Sequence, residues 1–303
     1  MVRKNKVIGY TLALIATFLW GLHPIGIRFL IGQDIEPMNI ALSRIWMSVI
    51  ILFIATFFMK RETEKFKYSQ IFWIGVVGLT MTFIFFHKSL AFTFASHVML
   101  IEAFSPVFVL ILGLFLLPHQ FKMLVRTKKL SHLFLIVATG SIGSSLLLLN
   151  PTDIIPQDTQ RMGDLLIAIG SIFFAIFLLS SSELRKTVKT SSIGIMLRMF
   201  LGVGILLLPF INISNFTTFS TDQWIILTLI AIFGTAIPYI LWNYASYYLE
   251  VTPLAMIFNL TVIFGVIAES ILLNFPISTA FVASAALIIY AAAKADQINS
   301  KYI

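Results

Sequence analysis

The residues of this chain able to do chemistry are few, and most sit inside long apolar runs. Glu102 lies in HVMLIEAFSPVFVL, His87 and Lys88 in MTFIFFHKSLAF, and His23 in LWGLHPIGIRF just before Pro24. Arg28, Arg44, Arg198 and Glu269 are placed in the same way. A charge held at the centre of a bilayer costs about 2.5–3.5 kcal/mol on insertion scales. A chain that keeps such groups uses them, usually facing a cavity. Glu102 would bind a cationic solute or exchange a proton; as a structural group it would pair with Lys88 or Arg44. Histidine titrates near neutral pH and suits proton coupling, so His87 is a candidate. Its structural alternative is a hydrogen bond between helices, with Lys88 reaching to the interface or pairing with Glu102. Pro24 removes a backbone hydrogen bond and kinks its helix, which makes Trp20 and His23 candidates to line a transport cavity.

Other polar groups point to the same chemistry. Trp242 and Asn243 form an aromatic-polar patch with Tyr239 and Tyr244, and Asn259 interrupts a later apolar run. Aromatic rings hold apolar or cationic ligands, the latter through cation–π contact; the alternative for Trp242 is a belt at the membrane interface. The candidate substrate-binding set is therefore Trp20, His23, His87, Glu102, Trp242, Asn243 and Asn259. Arg44, Arg198 and Glu269 are expected to be structural or gating charges, anion binding being the sharper idea for the two arginines. The motifs of hydrolases, metallopeptidases and P-loop NTPases are absent from the sequence. No enzyme activity, metal or cofactor is expected.

The elements that must position these residues are membrane helices. The chain has 303 residues, 59% hydrophobic and only 11% charged, against about 25% charged in soluble domains. That is too little polar surface to clothe a water-facing protein. The net charge of +8 does not call for nucleic acid, because the basic residues fall in the links between apolar runs. There is no cysteine, hence no disulfide framework. Spans of about 20 apolar residues are expected at Val7–Leu30, Pro37–Met59, Gln70–Phe92, His97–Leu117, Ser131–Leu149, Gly163–Leu184, Ser192–Ile211, Gln223–Tyr247, Pro253–Leu273 and Pro276–Lys294. Arg3, Lys4 and Lys6, then Lys60, Arg61, Lys65 and Lys67, then Lys122, Arg126, Lys128 and Lys129, then Arg185, Lys186 and Lys189 mark alternate links. The intervening links carry Asp34, Glu36, Asp153 and Asp158. By the positive-inside rule both termini are cytoplasmic.

The chain also repeats itself. An offset that carries Gly9 onto Gly163 carries Ile15 onto Ile169, Trp20-Gly21 onto Phe174-Ala175 and Arg44 onto Arg198. A nearly equal offset carries Pro106-Val107 onto Thr261-Val262, and the hairpin Ile71–Leu117 matches Trp224–Phe275, with Gly78 and Gly234 at like places. The expected division is 1–150 and 151–303, five spans each. Five is odd, so the halves are inserted upside down relative to each other, the arrangement from which alternating access is built.

ALIATFLWGLHPIGIRFL, SRIWMSVIILF, SLAFTFASHVMLIEAFSPVFVLILGLFLL, GDLLIAIGSIFFAIF and FGTAIPYILWNYASYYLEVTPLAMIFNLTVIFGVIAE together resemble the ten-span branch of the drug/metabolite transporter superfamily, built from two EamA-type repeats. The resemblance covers nearly the whole chain. It implies an all-α integral membrane protein of ten transmembrane helices in two inverted five-helix repeats, with a central cavity lined by both. The expected function is secondary transport of a small organic solute such as an amino acid, an amine or a related metabolite across the cell membrane by alternating access, with export the expected direction and proton coupling open; a channel or a lipid-flippase-like protein of the same fold is the alternative. The expected partners are the small-molecule substrate and membrane lipid, with the protein a monomer or weak dimer.

Overall fold

The computed structural model describes residues 5–58, 66, 68–119, 122, 125, 130–145, 157–188, 190–212, 219–273 and 279–300. The principal elements are α1 (Lys6–Ile31), α2 (Pro37–Thr56), α3 (Gln70–Phe92), α4 (Ala95–Glu102), α5 (Ser105–Leu116), α6 (Leu130–Ser145), α7 (Gln157–Thr187), α8 (Ser192–Leu207), α9 (Thr221–Ala231), α10 (Ile237–Tyr248), α11 (Val251–Phe258), α12 (Leu260–Leu273) and α13 (Thr279–Ser300). A π-helical turn, Ile232–Ala236, joins α9 to α10. Eight continuous or near-continuous helices among the described residues are long and apolar enough to cross a membrane: α1, α2, α3, α4–α5, α7, α8 with its 3-10 extension, α9–α10 and α11–α12. The apolar parts of α6 and α13, Leu130–Thr139 and Val282–Ala291, are shorter. Residues 146–156 and 274–278, which hold the end of the fifth expected span and the start of the tenth, lie outside the described residues, as do 1–4, 59–65, 67, 126–129 and 189 in the basic links.

The pattern of burial is that of a protein in lipid. Phe18, Phe29, Phe53, Phe57 and Phe115 face outward, while hydroxyls are turned inward and tied to their own helices. Thr17, Ser48, Thr80 and Thr82 each donate to the carbonyl four residues earlier at 2.7–2.8 Å. With no water to satisfy them, polar groups in a bilayer interior must pair within the protein.

Packing partners correspond across the two halves. α3 lies along α7, and α1 along α10; α5 packs on α7, and α1 on α12; α2 pairs with α8 and α6 with α13. Small residues set the matched contacts. A methyl group added at Gly9 would sit 2.7 Å from Tyr248 Cβ, and one at Gly163 would sit 2.8 Å from Thr93 Cβ. Each glycine, near the start of the first helix of its half, lets the link after the third helix of the other half lie against it. The expected spans locate α1, α2 and α3 closely. The fourth and ninth, expected as continuous, are instead broken at Ala103–Phe104 and Asn259. The sixth is longer than expected because its polar opening turns, QDTQR, are already helical.

Candidate functional site

Three prolines prepare the centre of the bundle. A proline ring crowds the carbonyl four residues earlier and supplies no N–H to satisfy it. Pro24 frees the carbonyl of Trp20, Pro106 that of Glu102, and Pro238 that of Gly234. Each freed oxygen has a side-chain donor. His23 Nδ1–H donates to Trp20 O at 2.8 Å, Ser105 Oγ to Glu102 O at 2.5 Å, and Arg44 Nη2 to Gly234 O at 2.9 Å. At Pro238 the distortion becomes the π turn, with Ile237 N–H bonded to Ile232 O. Such turns cluster at functional places.

These distortions surround a cavity. Its wall is Trp20 and His23 from α1, Arg44 from α2, Thr82, Phe83, Phe86 and His87 from α3, Met99 and Glu102 from α4, Phe174 from α7, Tyr239 from α10, Phe258 from α11 and Thr261 from α12. Both halves contribute. The cavity is small, about 30 Å³, room for roughly two waters.

Arg44 is the electrostatic centre. Its side chain is 1% exposed. Nε donates to Thr235 Oγ1 at 2.7 Å, Nη2 to Gly234 O, and Nη1 approaches His87 Nε2 at 3.3 Å. The guanidinium also lies 5.1 Å from the centre of the Phe83 ring. Nδ1 of His87 is 2.7 Å from Phe83 O. A carbonyl only accepts and a guanidinium only donates, so the proton of His87 is on Nδ1 and its Nε2 accepts from Arg44. Glu102, 8% exposed, lines the same cavity as Arg44. No cationic nitrogen among the described residues lies within ion-pair distance of its carboxylate. Lys88, the other partner considered from sequence, is exposed.

Four of the seven predicted substrate residues therefore come together: Trp20, His23, His87 and Glu102. The other three do not line the cavity. Trp242 is 2% exposed, its ring centre 5.1 Å from that of Trp20 and 5.9 Å from that of Phe258, so it lies inside the bundle and not at the membrane interface. Asn243 donates through Nδ2 to Ser181 Oγ at 2.9 Å. Asn259 sits at the break between α11 and α12, fully buried, with neither amide atom bonded to another protein group. The two repeat-related arginines diverge. Arg198 is half-buried, donates to Gly194 O of its own helix at 2.8 Å, and lies 4.8 Å from the Phe66 ring centre. Glu269 lies near Ser96 of α4.

Sequence reasoning left Arg44 out of the substrate set and missed the wall residues Thr82, Phe83, Phe86, Met99, Phe174, Phe258 and Thr261. Phase alone would have found Phe174, because the repeat sets it on Trp20. It also missed a polar cluster at the α3–α4 link: Thr93 Oγ1 donates to Asp164 Oδ1 at 2.9 Å, His97 Nδ1 lies 3.5 Å from the same oxygen, and Gln160 Nε2 is 2.9 Å from His97 Nδ1. Its members lie far apart in the chain, and nothing local marks them.

The profile of the EamA-like transporter family matches the chain twice, over residues 7–139 and 161–293. The chain belongs to the EamA-like transporter family. It is thus a multi-pass membrane transporter, in keeping with the apolar helices. An uncharacterized transporter of Haemophilus influenzae (strain ATCC 51907 / DSM 11121 / KW20 / Rd) is 27% identical over 223 residues, which are 71% of this chain and 68% of that protein. A protein of known crystal structure superposes with a TM-score of 0.72 over 97% of this chain and 98% of its own, at 13% identity. That likeness is one of fold.

Proposed function

We propose that this EamA-family transporter is a secondary carrier that moves a small organic solute across the cell membrane by alternating access, with the central cavity as its binding site. The observation that carries this reading is the cavity itself: a buried guanidinium, a carboxylate and two imidazoles share one aromatic-walled space to which both halves contribute. Polar groups so deep in an apolar bundle are costly, and a solute with complementary groups offsets that cost. In this reading Trp20, His23, His87 and Glu102 contact the solute. Trp242 and Asn243 back the wall, and Asn259 presents its amide when the α11–α12 break moves. The ten spans form two inverted repeats with both termini in the cytoplasm, and the matched packing of the halves supports two equivalent conformations. An amino acid, an amine or a related metabolite suits the mixed polar and aromatic lining, export is the expected direction, and Glu102 and His87 are the groups suited to proton exchange.

Thermal unfolding of the purified protein tests this. A compound that binds only the folded state raises stability by RT ln(1 + [L]/Kd). The panel is amino acids, polyamines, nucleotides, sugar phosphates and cationic drugs, each against wild type and Glu102→Gln. One class should stabilise wild type and lose most of its effect in the variant. Equal stabilisation of both would remove Glu102 from the site; no stabilisation by any class at millimolar concentration would count against a small-solute carrier.

A further inference from the structure

Arg44 does more than a strut requires. A guanidinium has five N–H donors. Three are engaged, on Thr235 Oγ1, Gly234 O and His87 Nε2, and all three acceptors are neutral groups. One N–H remains on each terminal nitrogen, and the side chain lines the cavity. Two N–H donors of one guanidinium can fork onto a carboxylate. The consecutive residues Gly234 and Thr235 of the π turn hold the other edge of the guanidinium, so its plane is fixed before any solute arrives. A side chain serving only to fasten α2 to the π turn would gain nothing by facing a cavity. A buried cation without an anion in contact is costly, and Glu102, which lines the same cavity, is not within ion-pair distance of it.

We infer that Arg44 receives a carboxylate of the transported solute, which deepens the carrier reading given above and rests on it. The π turn then has a definite part. Pro238 frees the Gly234 carbonyl, the carbonyl and the Thr235 hydroxyl orient the guanidinium, and the guanidinium presents its two remaining donors. Glu102 supplies the second charge of the same space, so a solute bearing an ammonium as well as a carboxylate matches both groups.

The test uses matched probes on the purified full-length protein: alanine, ethylamine and propionate, and their phenyl-bearing counterparts phenylalanine, phenethylamine and 3-phenylpropionate. Stabilisation against heat is titrated for each. The carboxylate-bearing members of at least one set should stabilise wild type, and the amine of that set should do so at least about tenfold more weakly, the scale of one charge-assisted hydrogen bond. Arg44→Gln should abolish the advantage of carboxylate over amine. Arg198→Gln, the same loss of a guanidinium at the repeat-related position outside the cavity, should leave it intact. The variant-free comparison decides the matter if Arg44→Gln does not fold. An amine that binds as well as its amino acid, or a carboxylate response that survives in folded Arg44→Gln, overturns the inference and leaves the carrier reading standing. Binding by none of the six probes overturns the inference, and the carrier reading falls with it only if the wider panel is also silent.

Discussion

Two glycines on α1 should respond to the same substitution with opposite signs. A methyl group at Gly21 would lie 2.9 Å from Thr261 O and 3.0 Å from Gly265 N, both backbone atoms of α12, and 2.8 Å from Phe264 Cβ. None of these can rotate away. Ordinary contact is about 3.5–4.0 Å, so the helices must part by about 0.5 Å or more. Overpacking of this kind costs about 1–3 kcal/mol, and removing a helical glycine returns about 1 kcal/mol. Gly21→Ala should therefore lose roughly 0–2 kcal/mol. A methyl group at Gly26 would meet only the end of the Ile230 side chain, at 3.1 and 3.4 Å. That end can turn, so Gly26→Ala should gain up to about 1 kcal/mol. The assay is apparent Tm in detergent by intrinsic fluorescence, read as a rank order because unfolding of such proteins is commonly irreversible. Because α1 and α12 carry Trp20, His23 and Thr261 on the cavity wall, Gly21→Ala should also weaken solute binding. Gly21→Ala as stable as Gly26→Ala would show that the close crossing of α1 and α12 is wrong.

Three further substitutions probe the surrounding network. Thr235→Val keeps shape but removes the acceptor of Arg44 Nε; hydrogen bonds to charged groups are worth about 1.5–3 kcal/mol, so its apparent Tm should fall well below that of Thr228→Val, whose exposed hydroxyl bonds to Trp224 O of its own helix. Equal values for the two would mean that the Thr235 contact contributes nothing. Ser181→Ala leaves the buried Nδ2 of Asn243 without its acceptor and should cost about 1–3 kcal/mol, measured by the same unfolding assay; an unchanged Tm would show that another group takes the amide. Glu250→Gln breaks the 2.7 Å pair with Lys186, whose side chains are 32% and 29% exposed. That loss should be at most about 1 kcal/mol and should shrink as salt rises, so a large, salt-independent loss would contradict the exposed placement of the pair.

Much of the fold is legible from apolar run length, because a helix must be long enough to cross lipid and its ends fall where polar links begin. α3 occupies the expected residues, and α1 and α2 start within one residue of expectation. The repeat is legible too, since Gly9 and Gly163 perform the same contact in the structure. The helix breaks are not, because run length averages over them. Asn259 ends α11 without a glycine or an adjacent proline, and the break before α5 shows only as Pro106 inside an apolar run. The π turn had a readable cause in Gly234 four residues before Pro238, but its consequence depends on Arg44, distant in the chain. That is also why Arg44 and Arg198 looked equivalent: the repeat equates their positions on α2 and α8, while only the half containing α9 and α10 has the freed carbonyl that draws a guanidinium inward. His87 and Glu102 were legible as cavity groups from the cost of burying them, and Trp20 and His23 from the kink at Pro24. Trp242 and Asn243 were not separable from them, because sequence shows that a residue is on a helix and not whether it reaches the cavity.

The most direct test of the central claim is counterflow in proteoliposomes, using the compound that gives the largest stabilisation in the panel. Vesicles loaded with that compound unlabelled are diluted into a trace of its labelled form, and uptake is followed as the internal concentration is varied. A carrier with one site alternately open to each side must show saturable uptake, a transient overshoot driven by the unlabelled pool, and loss of both in Glu102→Gln. Flux that rises in proportion to concentration without an overshoot would contradict alternating access and establish a channel in its place.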